Sequence, residues 1–181
     1  MGVIGKDFKY KLIENFLDKN EIFLLSSYCD FFHKTNQKYF CGQSPAKDTG
    51  QYGNGLMESL LLLKKSKMEE HTGLKLLPTY SYWRLYTYKS FLGIHKDRPS
   101  CEISTTVHIA GDSEWPIYMD GTPVITKPGD AVIYLGPELE HYRNKLEGEY
   151  QTQCFLHYVN ADGPYKEFDK DKRPAYGLPK I

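Results

Sequence analysis

Three side chains stand out for what they can do together. His95 and Asp97 lie two positions apart just after an extended run. In a strand, positions i and i+2 point to the same side, so an imidazole and a carboxylate converge. Six histidines and 23 acidic residues in 181 positions give about 0.8 such spacings by chance, so the pair needs context. His141 supplies it, because it follows the strand and turn KPGDAVIYLGPELEHYR and starts the segment leading into the last strand. Two histidines and one carboxylate on one face can hold a metal ion and leave positions open opposite them.

A third ligand from a distant strand needs a barrel mouth, and the second half of the chain reads as one. From Pro78 the pattern becomes aromatic and β-branched: TYSYWRLYTY, CEISTTVHI, WPIYM, TPVIT, DAVIYLG and QTQCFLHYV. AGDSE, MDGTP and KPGD punctuate these runs as hairpin turns do, which predicts a barrel or sandwich instead of a parallel α/β sheet. Before Pro78 the chain reads as helical. Leu12, Ile13, Phe16 and Leu17, then Ile22 to Phe32, predict two helices with capping groups in Asp18 to Glu21. GLMESLLLLKKSKMEEHTG predicts a third, ended by Gly73. The intervening Gly-rich segment, residues 42–55, reads as a long loop and a candidate lid. The expected organisation is α+β, mainly β, in a single domain over 1–181. Its helical part is about 1–77, its β core about 78–160, and its surface-wrapping tail 161–181.

Composition narrows the partners. At 21.0 kDa with 40% hydrophobic residues the chain can bury a core. Its 23 basic residues balance 23 acidic ones, so no electrostatic footprint argues for nucleic acid or an anionic membrane. No signal-peptide h-region and no run of about twenty apolar residues is present, so a cytoplasmic protein with no membrane partner is expected. Cys29, Cys41, Cys101 and Cys154 form no CxxC pair and are expected to be reduced. The sequence does not indicate an oligomeric state.

Taken in order, Tyr86 nine positions before His95, His95-x-Asp97, the turn and strand PGDAVIY, and His141 followed by EGE and a closing strand form a recognisable series. The chain resembles the Fe(II)- and 2-oxoglutarate-dependent dioxygenases over roughly residues 78–160, and within them the prolyl 4-hydroxylase-like branch. The resemblance implies a double-stranded β-helix, or jelly-roll, core with the N-terminal helices packed on it. It implies that His95, Asp97 and His141 are metal ligands and catalytic residues binding Fe(II), with 2-oxoglutarate chelating the iron and O2 taking the remaining position. The implied reaction is oxidative decarboxylation of 2-oxoglutarate to succinate coupled to C–H hydroxylation. The implied substrate is a small molecule or peptide, prolyl groups included.

The distal carboxylate of 2-oxoglutarate wants a cation in a partly dry pocket. That branch uses a Lys nine or ten residues after the distal histidine, where this chain has uncharged Tyr150, Gln151 and Thr152. The cation must come from elsewhere. Arg84 is the first choice, sharing a strand face with Tyr86, which sits where the family's cosubstrate-contacting tyrosine does. Arg143 is the second, two positions after His141. Of the other histidines, His108 reads as structural or substrate-facing, His157 as a hydrogen-bonded strand histidine, and His33 and His71 as needing no function. Two alternatives remain: a non-enzymatic small-ligand or peptide-binding barrel, and a zinc hydrolase on the same ligands, with Glu102 as its only candidate base.

Overall fold

The computed structural model describes residues 4–5, 7–35 and 47–178. Two antiparallel sheets carry the fold. The larger has six strands, in the order β1 (Tyr10–Ile13), β8 (Ala131–Tyr134), β5 (Ile103–Gly111), β10 (Tyr150–Asn160), β3 (Leu76–Thr87) and β2 (Thr49–Tyr52). The smaller runs β4 (Leu92–His95), β9 (His141–Arg143), β6 (Ile117–Met119) and β7 (Thr122–Val124). Helices α1 (Lys19–Thr35) and α2 (Gly55–Thr72) precede most of the strands. The mainly β, antiparallel architecture follows the expectation from the turn-punctuated strand runs.

Strand alternation sorts the large sheet into two faces. On one, Trp83, Leu85, Val107, Ile109, Ala131, Ile133, Cys154 and Leu156 form a continuous apolar cluster with Leu25, Met57, Leu60 and Leu61 of the helices. The intervening residues, among them Tyr80, Tyr82, Tyr86, Tyr134, Phe155 and His157, face the other way and line a cavity. The polar half of CEISTTVHI is therefore as buried as the apolar half: Ser104, Thr106 and His108 lie inside the protein.

Local chemistry sets the helix ends. Asp18 Oδ1 accepts from the backbone N–H groups of Asn20 and Glu21, while Glu21 Oε2 accepts from the Asp18 N–H, all at 2.8 Å. This reciprocal capping starts α1. Asn54 caps α2 by accepting from Leu56 and Met57, and Gly73, at φ 72°, closes it in the left-handed conformation. Asp120 and Gly121, at φ 51° and 77°, make the two-residue β6–β7 hairpin that the DG dipeptide predicts.

Two expectations are corrected. Leu12 and Ile13 do not open a helix: they belong to β1, which pairs with β8 in register Tyr10↔Tyr134 to Ile13↔Ala131. Pairing with an available sheet edge outweighs the short three-to-four spacing, which only Phe16 and Leu17 extended. In the segment 42–55, residues 42–46 lie outside the described residues. The remainder is no open lid, because Thr49–Tyr52 pairs with β3 and Asn54 caps α2. The tail after β10 runs along the surface as short helical turns over Lys166–Lys172, without adding a strand. Among the described residues no helix is long and apolar enough to cross a membrane.

Candidate metal centre

Strands β4 and β9 pair so that His95 lies directly opposite His141. Their rings sit 4.2 Å apart between centroids. Asp97 follows β4, and its backbone N–H donates to the Gly136 carbonyl at 2.9 Å, fixing the chain where the carboxylate turns inward. Position 136 must lack a side chain, since a Cβ there would collide with the Cys101 carbonyl and the Asp97 side chain.

The three ligating groups meet. Asp97 Oδ1 is 3.5 Å from His95 Nε2 and 3.7 Å from His141 Nε2, a gap that an ion with bonds of about 2 Å spans. Both imidazoles are oriented from behind. His95 Nδ1 donates to the Gly93 carbonyl at 2.8 Å and His141 Nδ1 to the Leu139 carbonyl at 3.0 Å. Each proton is thereby held on Nδ1, and the Nε2 lone pair is left for a metal.

Electrostatics agree with the geometry. Burial by itself would raise the Asp97 carboxyl, but the hydrogen bond to His95 and the nearby imidazoles of His157 and His141 bring it down to about 2. Asp97 is thus an anion at any working pH. The two ligand imidazoles diverge because their surroundings do: the Asp97 hydrogen bond raises His95, which is partly open to solvent, whereas burial lowers His141.

The triad opens into a cavity of about 540 Å³ walled by Tyr52, Tyr80, Tyr82, Tyr86, Tyr134 and Phe155. Tyr134 packs against His141 with centroids 4.6 Å apart. Arg98 stacks over Tyr80 at 4.5 Å and forms a two-pronged pair with Asp171, both bonds 2.7 Å. Tyr52 donates to the same carboxylate at 2.5 Å, tying the tail to the cavity rim.

The two arginines differ sharply. Arg84 is buried and committed to Asp48, with Nη2 at 2.5 Å and Nε at 3.0 Å from Oδ2. Asp48 also accepts from the Thr87 N–H and from the Ser90 hydroxyl. Arg84 shares the Tyr86 face as expected, its guanidinium 4.3 Å over the ring, yet its charge is already matched. Arg143 is equally buried, and its Nη1 donates only to the Trp115 carbonyl, at 2.5 Å. Its Nε and Nη2 have no hydrogen-bond partner among the described residues. Burial lowers this guanidinium to about 10, so it remains a cation at neutral pH, and Tyr86 and Tyr134 lie within its electrostatic reach. Both tyrosines line the triad's cavity, whereas neither Arg143 nor Arg84 does.

Other residues were hidden from the sequence. Gln151, one of the three uncharged residues standing where a cation was sought, turns inward and bonds His108 Nε2 through its amide nitrogen at 3.0 Å. His108 Nδ1 donates to the Thr126 carbonyl at 3.0 Å, so His108 is a satisfied interior histidine. His157 is a hydrogen-bonded strand histidine as expected, but it also walls the cavity beside Asp97, as does Cys101. Its alternation with Gln153 and Phe155 along β10 was the available signal. Glu102 accepts from the Asn160 N–H at 2.7 Å and does not line the cavity, which leaves the hydrolase alternative without its base.

No protein-family model and no curated protein matches the sequence. Solved structures do match. A prolyl-4-hydroxylase from Pseudomonas putida superimposes with TM-score 0.66 at 15% identity, covering 85% of this chain and 94% of its own. The viral collagen prolyl hydroxylase of Paramecium Bursaria Chlorella virus-1, in its 2OG complex, gives 0.65 at 10% identity, with 86% and 97% covered. HygX from Streptomyces hygroscopicus, with nickel and 2-oxoglutarate bound, gives 0.66 at 11% identity, with 85% and 84% covered. This chain therefore has the fold of these proteins over most of its length.

Proposed function

We propose that the protein is a mononuclear Fe(II)- and 2-oxoglutarate-dependent hydroxylase built on a double-stranded β-helix. The observation that carries this reading is Arg143: a buried cation with two unfilled donor nitrogens, on the same strand as His141 and behind a converged His-Asp-His triad. A buried cation met, among the described residues, by the Trp115 carbonyl and ring but by no carboxylate is costly, and an anion that arrives with a ligand would account for the position.

The residues fit the implied groups. His95, Asp97 and His141 would hold the iron through two Nε2 atoms and one carboxylate oxygen, a ligand set suited to non-haem Fe(II) with open positions. Arg143 would take the distal carboxylate of 2-oxoglutarate, with Tyr86 and Tyr134 along the wall between. Once bound, iron and 2-oxoglutarate supply the oxidative decarboxylation to succinate that is coupled to C–H hydroxylation by O2. The chain's own work is placement. The Gly93 and Leu139 carbonyls hold the ligand tautomers. Tyr134 braces His141, and aromatic side chains wall the cavity into which the triad opens.

The prolyl hydroxylases among the similar structures support a peptidyl or amino-acid substrate, prolyl groups included. Anaerobic reconstitution with Fe(II), then addition of 2-oxoglutarate and oxygen, tests the reaction class. Succinate formed in proportion to oxygen consumed is the expected result, accelerated by proline-containing peptides. A protein that binds neither iron nor 2-oxoglutarate overturns the proposal. One that binds iron but ignores 2-oxoglutarate is a metal-binding barrel of another kind.

A further inference from the structure

Asp97 presents one oxygen to each of two neighbourhoods. Oδ1 faces His95 and His141. Oδ2 faces Ser104, whose hydroxyl lies 3.3 Å away. On that second side stand Cys101 and His157, and one ligand atom each from Asp97, Cys101 and His157 falls within a 4.8 Å sphere of mutual distances.

The local structure looks prepared. A single helical turn, Pro99–Cys101, follows Asp97 directly and carries the thiol back beside the carboxylate. Ser104 Oγ lies 2.9 Å from the Cys101 carbonyl, to which it donates, and 2.8 Å from His157 Nδ1. With its single proton so placed, the hydroxyl accepts from Nδ1–H, and the Nε2 lone pair of His157 is left free. His95 and His141 are prepared in the same way by backbone carbonyls. Tyr80 packs on the His157 ring at 4.4 Å, and its hydroxyl sits 3.1 Å from Cys101 Sγ. Tyr80, Asp97, Cys101 and His157 all wall the triad's cavity.

We propose that Asp97, Cys101 and His157 form a second cation seat, which takes a zinc-class divalent ion and adjoins the first seat through the shared Asp97 carboxylate. A thiolate, an imidazole and a carboxylate make a softer set than two imidazoles and a carboxylate, and soft sulfur favours zinc and cobalt over the harder ions. Bonds of about 2.0–2.3 Å require neighbouring ligand atoms roughly 3.3–3.8 Å apart in a tetrahedron. Side-chain adjustments of about 1 Å supply that from the observed spacing. A fourth position faces the cavity, open to solvent or to a group on a ligand. Two ions bridged by one carboxylate would stand near the 3.5–4 Å or so found in two-metal sites. This seat is distinct from the position proposed for iron.

Titration of the metal-free full-length protein with Co(II) under anaerobic conditions tests this, read by near-ultraviolet thiolate-to-cobalt charge transfer and by native mass spectrometry. Expected are two ions per chain and a thiolate band. Cys101→Ser should lose the band and one ion, while His141→Ala loses one ion and keeps the band. His157→Gln retains the thiol and should weaken the band-forming event by at least about tenfold, which covers the case in which Cys101→Ser does not fold. A wild-type protein without the band, or a band that survives in Cys101→Ser, overturns the proposal. A single ion with the band, unchanged in His141→Ala, supports this seat and counts against the His-Asp-His seat, so the two readings fail separately.

Discussion

The two faces of the six-stranded sheet are buried to a similar degree but built from different residues. The outer face is apolar, with Trp83, Leu85, Val107, Ile109, Cys154 and Leu156 closed by two helices. The inner face carries Tyr86, Ser104, Thr106, His108, Gln151, Gln153 and His157. On the outer face, burial of apolar area holds the fold together. The inner face gives up part of that gain to keep polar groups dry; among the described residues Gln151 Oε1 and Gln153 Nε2 there have no hydrogen-bond partner, nor do Ser81 Oγ and Thr105 Oγ1 on the outer face or Arg143 Nε and Nη2 on β9 of the smaller sheet. Stability and chemistry are thus separated by a single strand thickness, and substitutions on the two faces should fail in different ways.

The largest separation is expected at the ligands. His141→Ala should reduce 2-oxoglutarate turnover by well over about 100-fold, because even groups that only support a ligand are worth 10–100-fold. Its melting temperature should hold, since the buried imidazole gives up a single hydrogen bond, to Leu139. A variant that loses activity only through unfolding would erase the contrast between the faces.

Next come the two buried arginines. Arg84→Met strands the Asp48 carboxylate in the interior and should cost about 3–5 kcal/mol of stability. Arg143→Met removes a buried charge that has no carboxylate partner, so unfolding should be unchanged or more difficult. Its effect should appear in the KM for 2-oxoglutarate, raised roughly 30- to 5000-fold for the loss of about 2–5 kcal/mol of paired charge. Urea unfolding and steady-state kinetics on both variants check this crossing of effects. The opposite assignment, with Arg84 controlling KM, would restore the order expected from the sequence.

On the outer face, Leu156→Ala should cost about 2–5 kcal/mol through lost transfer energy and a cavity against the helices. The KM for 2-oxoglutarate should not move. A shifted KM here would mean that the faces are mechanically coupled.

Much of this was legible in advance, and the reasons are local. Period-two strands, the DG turn, the Gly73 cap and the His95-x-Asp97 spacing are short-range signals that survive in a single sequence. β1 was missed because its four residues are too few to show a period and its partner, β8, lies more than 100 positions away. The choice of Arg84 over Arg143 failed to foresee Asp48, whose pairing depends on how the segment before β2 folds back over β3. Cys101 was expected only to be reduced, and His157 to be a hydrogen-bonded strand histidine. The Pro99–Cys101 turn brings the thiol to Asp97, and the β5–β10 register, with His157 opposite Ser104, brings the imidazole.

The comparison of faces also has a pH signature. His108 is buried on the inner face, and burial lowers its pKa from 6.5 to about 4. Arg143 disfavours its charged form further, while the Thr126 carbonyl and Asp130 favour that form without reversing the shift. A depressed imidazole binds its proton more readily in the unfolded chain, so the unfolded state carries more protons between about pH 6.5 and 4. His108 therefore contributes stability that is fully present above about pH 6.5 and declines as the pH falls through that window, by on the order of 2–3 kcal/mol. Below about pH 4 both states are protonated and the loss levels off. Melting curves of wild type and His108→Gln between pH 7.5 and pH 4, as about the useful range, should converge as the solution is acidified, because the glutamine has no proton to gain. Parallel curves would place the acid sensitivity elsewhere and leave the inner face no more responsive to pH than the outer one.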